Sequence, residues 1–317
     1  MTDSSTMQNG SNYLCLGVSW RTGAPCLDLV SAADIAPVRV PLTGRFFGFR
    51  VESQLRYCTG RYAFSQETDT VHVPCPTHEP AEKGGQCARC ASSDEFRFAH
   101  HFHTGGHAPQ SLVRYMNQPH WVYVATFADG TGKVGTAANL RTKSRLDEQG
   151  AVVATYVAHT VDGRVARNVE DAITRHCGVP QTKSRSAKLN SLASPLPATQ
   201  IAERHARLMD SVVPLVNDLA RASSGVSCPG TPWKPPKEME MIVMDPPTGG
   251  WPTYERSIAD GEHGFYVDAS CGQTALVRTQ DSGHALRYLV DLGKLKGVRI
   301  VAGDFSSPDS AVQGALF

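Results

Sequence analysis

Apolar positions along this chain fall into three kinds of spacing. Between residues 13 and 51, short runs such as YLCLGVSW, CLDLV and RFFGFRV are separated by turn-forming residues such as RTGAP, a pattern that predicts strands. From about residue 119 the runs shorten and pair: Trp121-Val122-Tyr123-Val124, a Gly-rich turn at Asp129 to Gly132, then Lys133-Val134-Gly135-Thr136. This predicts a hairpin, and VVATYVAHT at 152–160 predicts a third strand beside it. Helical spacing appears in a short segment at 111–118, in a basic segment from Ala138 to Glu148, and from Val165 to His176. In the last of these Ala166, Val169, Ile173 and Cys177 form one stripe, closed by Gly178 and Pro180. Residues 198–222 carry the longest helical pattern, with Ile201, His205, Leu208, Val212, Leu215 and Leu219 three and four apart. SSGVSCPGTPWKPPK, residues 223–237, reads as a linker, and 238–305 returns to β character in MEMIVM, GFYVDAS, QTALVRT, ALRYLVDL and VRIVAGDF.

The expected fold class is therefore α+β. A small α/β sandwich at 119–190 is followed by the helix 198–222, and β segments at 11–55 and 238–305 flank the centre. Each terminal segment has too few strands to be stable alone, so the two are expected to pack together around the central region.

Composition narrows the class without naming it. The chain has 317 residues, 41% of them hydrophobic and 19% charged, which excludes disordered and fibrous proteins and allows two or three compact units. The N-terminus has neither the basic flank nor the apolar core of a signal peptide, and no apolar run approaches the ~20 residues of a membrane helix. The expectation is a soluble cytoplasmic protein without a membrane partner.

Residues 56–110 are poor in aliphatic side chains and rich in Cys, His, Gly and Pro, as in a metal-held knuckle. Nine cysteines are present, four of them clustered: Cys58, sixteen residues, Cys75, eleven residues, then Cys87-Ala88-Arg89-Cys90. A C-x-x-C turn lets two thiolates reach one zinc ion, and Cys58 and Cys75 complete a closed tetrahedral set, the structural kind. Gly84 and Gly85 ease the turn before it, and Arg56, Arg61, Lys83 and Arg89 favour deprotonated thiols. His72, His78, His100, His101, His103 and His107 are rival ligands. Cys15, Cys26, Cys177, Cys228 and Cys271 are scattered and read as small buried hydrophobes.

The segment Trp121-Val122-Tyr123, then Lys133-Val134-Gly135-Thr136, with Leu140 and Arg145 beyond, resembles the GIY-YIG endonuclease domain in its Lys-Ile-Gly variant, over about residues 119–190. The wider pattern, a Cys-rich knuckle, His-x-Val-Tyr, Lys-Val-Gly and a helix closing on Asp-Glu-Gln-Gly-Ala, is similar to an uncharacterised bacterial domain-of-unknown-function family over most of the chain. The nuclease resemblance implies a phosphodiester-hydrolysing site in which Tyr123 orients or deprotonates water, Gly135 allows close approach, Arg145 stabilises charge on the phosphate, and Glu170 holds magnesium or manganese. Lys133 stands where that family's second tyrosine falls, and the asparagine that often follows the glutamate is absent.

Three readings stay open on these residues. One is a metal-dependent nuclease acting on DNA or RNA, with a structural zinc. The second is a non-catalytic nucleic-acid-binding protein that keeps the same fold. The third is a protein-interaction scaffold whose zinc and β regions serve partners. Glu170 borders the apolar stripe of its helix, so it either binds a metal or forms a buried ion pair, with Arg145 as one candidate partner. Arg141, Lys143, Lys183, Arg185 and Lys188 are the candidate phosphate contacts. Across 119–190, ten basic side chains against six acidic ones leave +4, while the whole chain is at +1.

Overall fold

A computed structural model describes residues 6–31, 37–64, 70–82, 85–99, 102, 105, 108–244, 246–280 and 286–307. The chain begins with β1 (Asn12–Ser19), β2 (Cys26–Ser31), β3 (Pro37–Pro41) and β4 (Arg45–Val51). The knuckle region holds the hairpin β5 (Arg61–Phe64) and β6 (Thr70–Val73), then the short helices α1 (Ala88–Ser92) and α2 (Gln110–Met116). The centre runs β7 (His120–Thr126), β8 (Gly132–Ala138), α3 (Thr142–Gln149), β9 (Val153–Thr160) and α4 (Gly163–Cys177). After it come α5 (Arg185–Ala193), α6 (Ala198–Ala222), the two-residue strands β10 (Val226–Ser227) and β11 (Thr231–Pro232), and α7 (Glu240–Val243). The last strands are β12 (Glu262–Cys271), β13 (Thr274–Thr279), β14 (Tyr288–Asp291) and β15 (Arg299–Ala302).

The two terminal β segments form one eight-stranded antiparallel sheet in the order β14-β13-β12-β4-β15-β1-β2-β3. They interleave: β4 pairs with β12 on one side and β15 on the other, and β15 also pairs with β1. A bulge in β12 decides what each half of that strand packs on. Its register against β13 shifts between Val267 and Ala269, so odd-numbered residues change faces there. Phe265 and Val267 join the core of the large sheet with Phe47, Phe49 and Val277. Ala269 and Cys271 instead join Leu276 and Leu289 in a second core shared with the central region.

The central sheet has the order β10-β9-β7-β8, with β11 also on β9. Both faces of β7 are covered, which explains its continuous apolar run. Tyr123 and Ala125 face the large sheet together with Leu146 of α3, Tyr156 and Trp233. Val122 and Val124 face α4 and α6 with Val134, Val169, Ile173 and Val212. His205 of α6 is a satisfied core histidine, hydrogen-bonded to the hydroxyls of Thr126 at 2.8 Å and Thr155 at 2.9 Å.

Three expectations differ. MEMIVM is a 3-10 turn at Lys237–Met239 running into α7, because Met239 and Ile242, three apart, both turn into the interlayer core. The stretch 223–237 adds β10 and β11 to the edge of β9 and buries Trp233. Cys177 and Cys228 are only half-buried, whereas Cys15, Cys26 and Cys271 are buried. Among the described residues no helix is long and apolar enough to cross a membrane.

Candidate functional site

Cys58, Cys75, Cys87 and Cys90 are all buried, and their sulfur atoms lie within 4.8 Å of one another. Thiolates about 2.3 Å from a tetrahedral ion stand about 3.8 Å apart, and the Cys75 and Cys87 sulfurs are 3.9 Å apart. Local structure builds this set. Cys58 precedes β5, Cys75 follows β6, and Cys87 is the N-cap of α1, which carries Cys90 one turn on. The Gly60 amide donates to the Cys58 sulfur at 3.4 Å. Gly60 sits at φ +93, and a side chain there would collide with the Val73 carbonyl. The four side chains fit a structural zinc ion. His72 bonds the Thr59 carbonyl at 2.6 Å instead. His100, His101, His103, His107, Lys83 and Gly84 lie outside the described residues. The knuckle also has a small apolar core of its own, Phe64, Leu112 and Met116, with Phe96 stacked on Phe64 at 4.8 Å.

The hairpin β7–β8 puts Tyr123 directly opposite Gly135. A methyl group on Gly135 would stand 2.4 Å from the Tyr123 hydroxyl. That hydroxyl is sealed from solvent and has no hydrogen bond of good geometry. Burial raises its pKa, and the Arg145 guanidinium is the charge that most opposes the rise. Arg145, on α3, is 43% exposed yet enclosed by protein, because it stands in the floor of a cleft. Lys133, on the same face of β8 as Gly135, is buried and donates to the Gln149 amide oxygen at 2.9 Å, and Lys188 donates to the same oxygen at 3.1 Å. Burial and neighbouring cations bring both lysines down to about 8.

Glu170 is 3% exposed and bound to Arg167, three residues earlier on α4, at 2.5 Å. Its charge reaches both Tyr123 and Lys133. The buried ion pair anticipated for Glu170 is thus present, with Arg167 rather than Arg145 as partner. As it stands this carboxylate does not fit a divalent cation. One oxygen is held by a guanidinium, Arg167 and Lys133 are neighbouring charges, and among the described residues it belongs to no group of three or more candidate ligands.

Above these residues opens a cavity of about 770 Å³, between the large sheet, the knuckle and the central unit. Arg21, Arg39, Arg141, Arg145 and Arg167 line it, against two carboxylates, Asp28 and Glu148. Arg39 lies 3.5 Å from Asp28, and Arg141 lies 2.7 Å from Glu148. Tyr62 and Phe96 supply an aromatic wall, with ring centres 6.0 Å apart. Of the predicted phosphate contacts, Arg141 faces this cavity. Lys188 and Arg185 line a smaller one of about 160 Å³ that shares Arg145 and Glu148 with it. Lys143 is exposed on α3. Lys183 is committed elsewhere, to Asp129 at 2.6 Å and to the Phe127 ring.

Sequence reasoning missed Arg21, Arg39, Tyr62, Phe96 and Arg167. Arg167 had a signal, its three-residue spacing from Glu170. Arg21 and Arg39 lie in segments that carry no motif, Tyr62 and Phe96 lie in the knuckle outside its cysteine pattern, and the tertiary fold gathers them.

The family described as Protein of unknown function (DUF2797) matches residues 62–225. That stretch contains three of the four clustered cysteines and Arg141, Arg145 and Arg167; Cys58, Arg21 and Arg39 precede it. No curated protein and no solved structure matches the chain.

Proposed function

The chain belongs to the DUF2797 family, and from the cleft framed by its matched region we propose that it is a zinc-stapled nucleic-acid-binding protein. The observation that carries this reading is the arginine set: five guanidiniums around one cavity whose two carboxylates are already paired. Guanidiniums clamp phosphate oxygens in pairs, and an aromatic wall offers a face on which a base stacks. A cavity of this size is in the range of small-ligand sites, roughly 300–1,000 Å³, so it takes an unpaired nucleotide or a strand segment rather than a whole duplex.

Fluorescence anisotropy with labelled oligonucleotides over a salt series tests this. Binding weakens steeply with salt, and Arg21→Ala and Arg141→Ala each lower the salt slope by about one. Absence of binding, or binding indifferent to salt, rejects the proposal.

A second reading, phosphodiester cleavage of GIY-YIG type, is favoured by one observation. Tyr123, Gly135 and Arg145, brought together by the β7–β8 hairpin and α3, meet beneath this cleft, with the buried phenol beside the Arg145 guanidinium. In that reading Arg145 stabilises charge on the phosphate and Tyr123 orients the attacking water. The burial of Tyr123 is what it has to overcome. Supercoiled and single-stranded substrates incubated with magnesium or manganese separate the readings. Cleavage that Tyr123→Phe, Arg145→Ala and Glu170→Gln each abolish selects the nuclease, and binding without cleavage selects the first reading.

A further inference from the structure

A second basic cavity, of about 580 Å³, lies beyond Lys188, where the large sheet meets the N-terminus of α5. Its charged lining is Arg56, Arg185, Lys294 and Lys296, with no carboxylate among the lining residues. Two of these cations are held by backbone oxygens rather than by acids. The Arg56 guanidinium donates to the carbonyls of Lys294 and Lys296, and Arg185 donates to the Gly293 carbonyl at 2.9 Å. Carbonyl partners orient a guanidinium without neutralising it, so the charge stays available to a ligand. Partial burial, then the Arg185 charge, lower both Arg56 and Lys296 from their ordinary values. Asp94 is the acid whose charge reaches Lys296.

The cavity is not isolated. Arg185 is shared with the small cavity beside Lys188, and that cavity shares Arg145 with the arginine cleft. Of the acids along this path, Glu148 is paired with Arg141, and Asp291 is buried and turned to the Gly293 amide at 3.0 Å, keeping its charge. We infer that Arg56, Arg185, Lys294 and Lys296 form a second phosphate site, which holds the backbone of the same strand after it leaves the cleft past Lys188. A single small anion would need one such site. A chain of cationic cavities joined end to end suits a polymer with regularly spaced phosphates. This rests on the nucleic-acid reading of the cleft.

Lys294 and Lys296 are exposed, so reversing their charge leaves the core untouched. The test compares wild type with the double variant Lys294→Glu, Lys296→Glu, using labelled single-stranded DNA and RNA of about three and about twenty nucleotides, lengths chosen to occupy one site or both. For the long strand the variant binds at least roughly tenfold more weakly, with a salt slope smaller by about two, while the short strand binds as to wild type. Whichever sugar the wild type prefers identifies the strand. Long-strand affinity within about twofold of wild type, or equal losses for both lengths, overturns the second site. Wild type that binds no oligonucleotide overturns the cleft reading itself, a different failure.

Discussion

Gly135 and Asp147 show what single side chains decide here. Gly135 leaves room for a phenol that has nowhere else to go, since Tyr123 is 0% exposed. Gly135→Ala is expected to lower stability by about 1–3 kcal/mol through overpacking. Much of that loss disappears in a Tyr123→Leu background, because the hydroxyl and the ring carbon Cζ, 2.4 and 2.5 Å from the added methyl, are both removed. Urea melts of the double-mutant cycle measure this, and additive effects would reject the contact. Asp147 is 0% exposed, with one oxygen accepting from the Trp233 indole at 3.2 Å and the other unpartnered. Burial lifts its carboxyl to about 6. Between the unfolded value of about 3.9 and that one, the folded state holds the extra proton, so this group makes stability fall as pH rises. Asp147→Asn should therefore be more stable than wild type near pH 7.5, with the difference closing towards about pH 4. An unchanged pH slope in thermal melts of the variant would assign the effect elsewhere. The Tyr123–Gly135 pairing was legible because a hairpin fixes its own register. The burial of Asp147 was not, because it depends on Trp233, which lies in a stretch that reads as a linker.

At the scale of elements, the knuckle was legible because C-x-x-C is a local turn that presents two ligands regardless of the rest of the fold. Purified protein should contain about one zinc per chain. Cys87→Ser should lose it together with hydrogen-exchange protection in β5 and β6, the hairpin that Cys58 and Cys75 flank. Metal-free protein with the same protection in that hairpin rejects the zinc. The long helix α6 and the stripe of α4 were equally plain, since their apolar residues repeat over several turns. Helix α5 went unread because its sequence is mostly polar and looks like a basic run. Its one signal was Ser184, whose hydroxyl caps the Ala187 amide at 3.2 Å. MEMIVM misled for the opposite reason: six residues with few polar breaks satisfy a strand and a buried helix equally well.

At the scale of the molecule, the arginine cleft could not be read from any one segment. Arg21 and Arg39 come from the N-terminal strand region, Tyr62 and Phe96 from the knuckle, and Arg141, Arg145 and Arg167 from the centre. Each is an ordinary surface residue in its own stretch, and the layering of two sheets turns them into one lining. The same layering relies on contacts of very long range: the Trp20 indole donates to the Gly272 carbonyl across 252 positions.

Because β4 lies between β12 and β15, it has no partner for most of synthesis, although β1, β2 and β3 pair with one another early. A ribosome must release nearly the whole polypeptide before the inner strands of the large sheet can close. Until then apolar stretches such as RFFGFRV travel uncovered and exposed to self-association. Production of this protein is therefore expected to depend on chaperone capacity and temperature more than its final stability suggests.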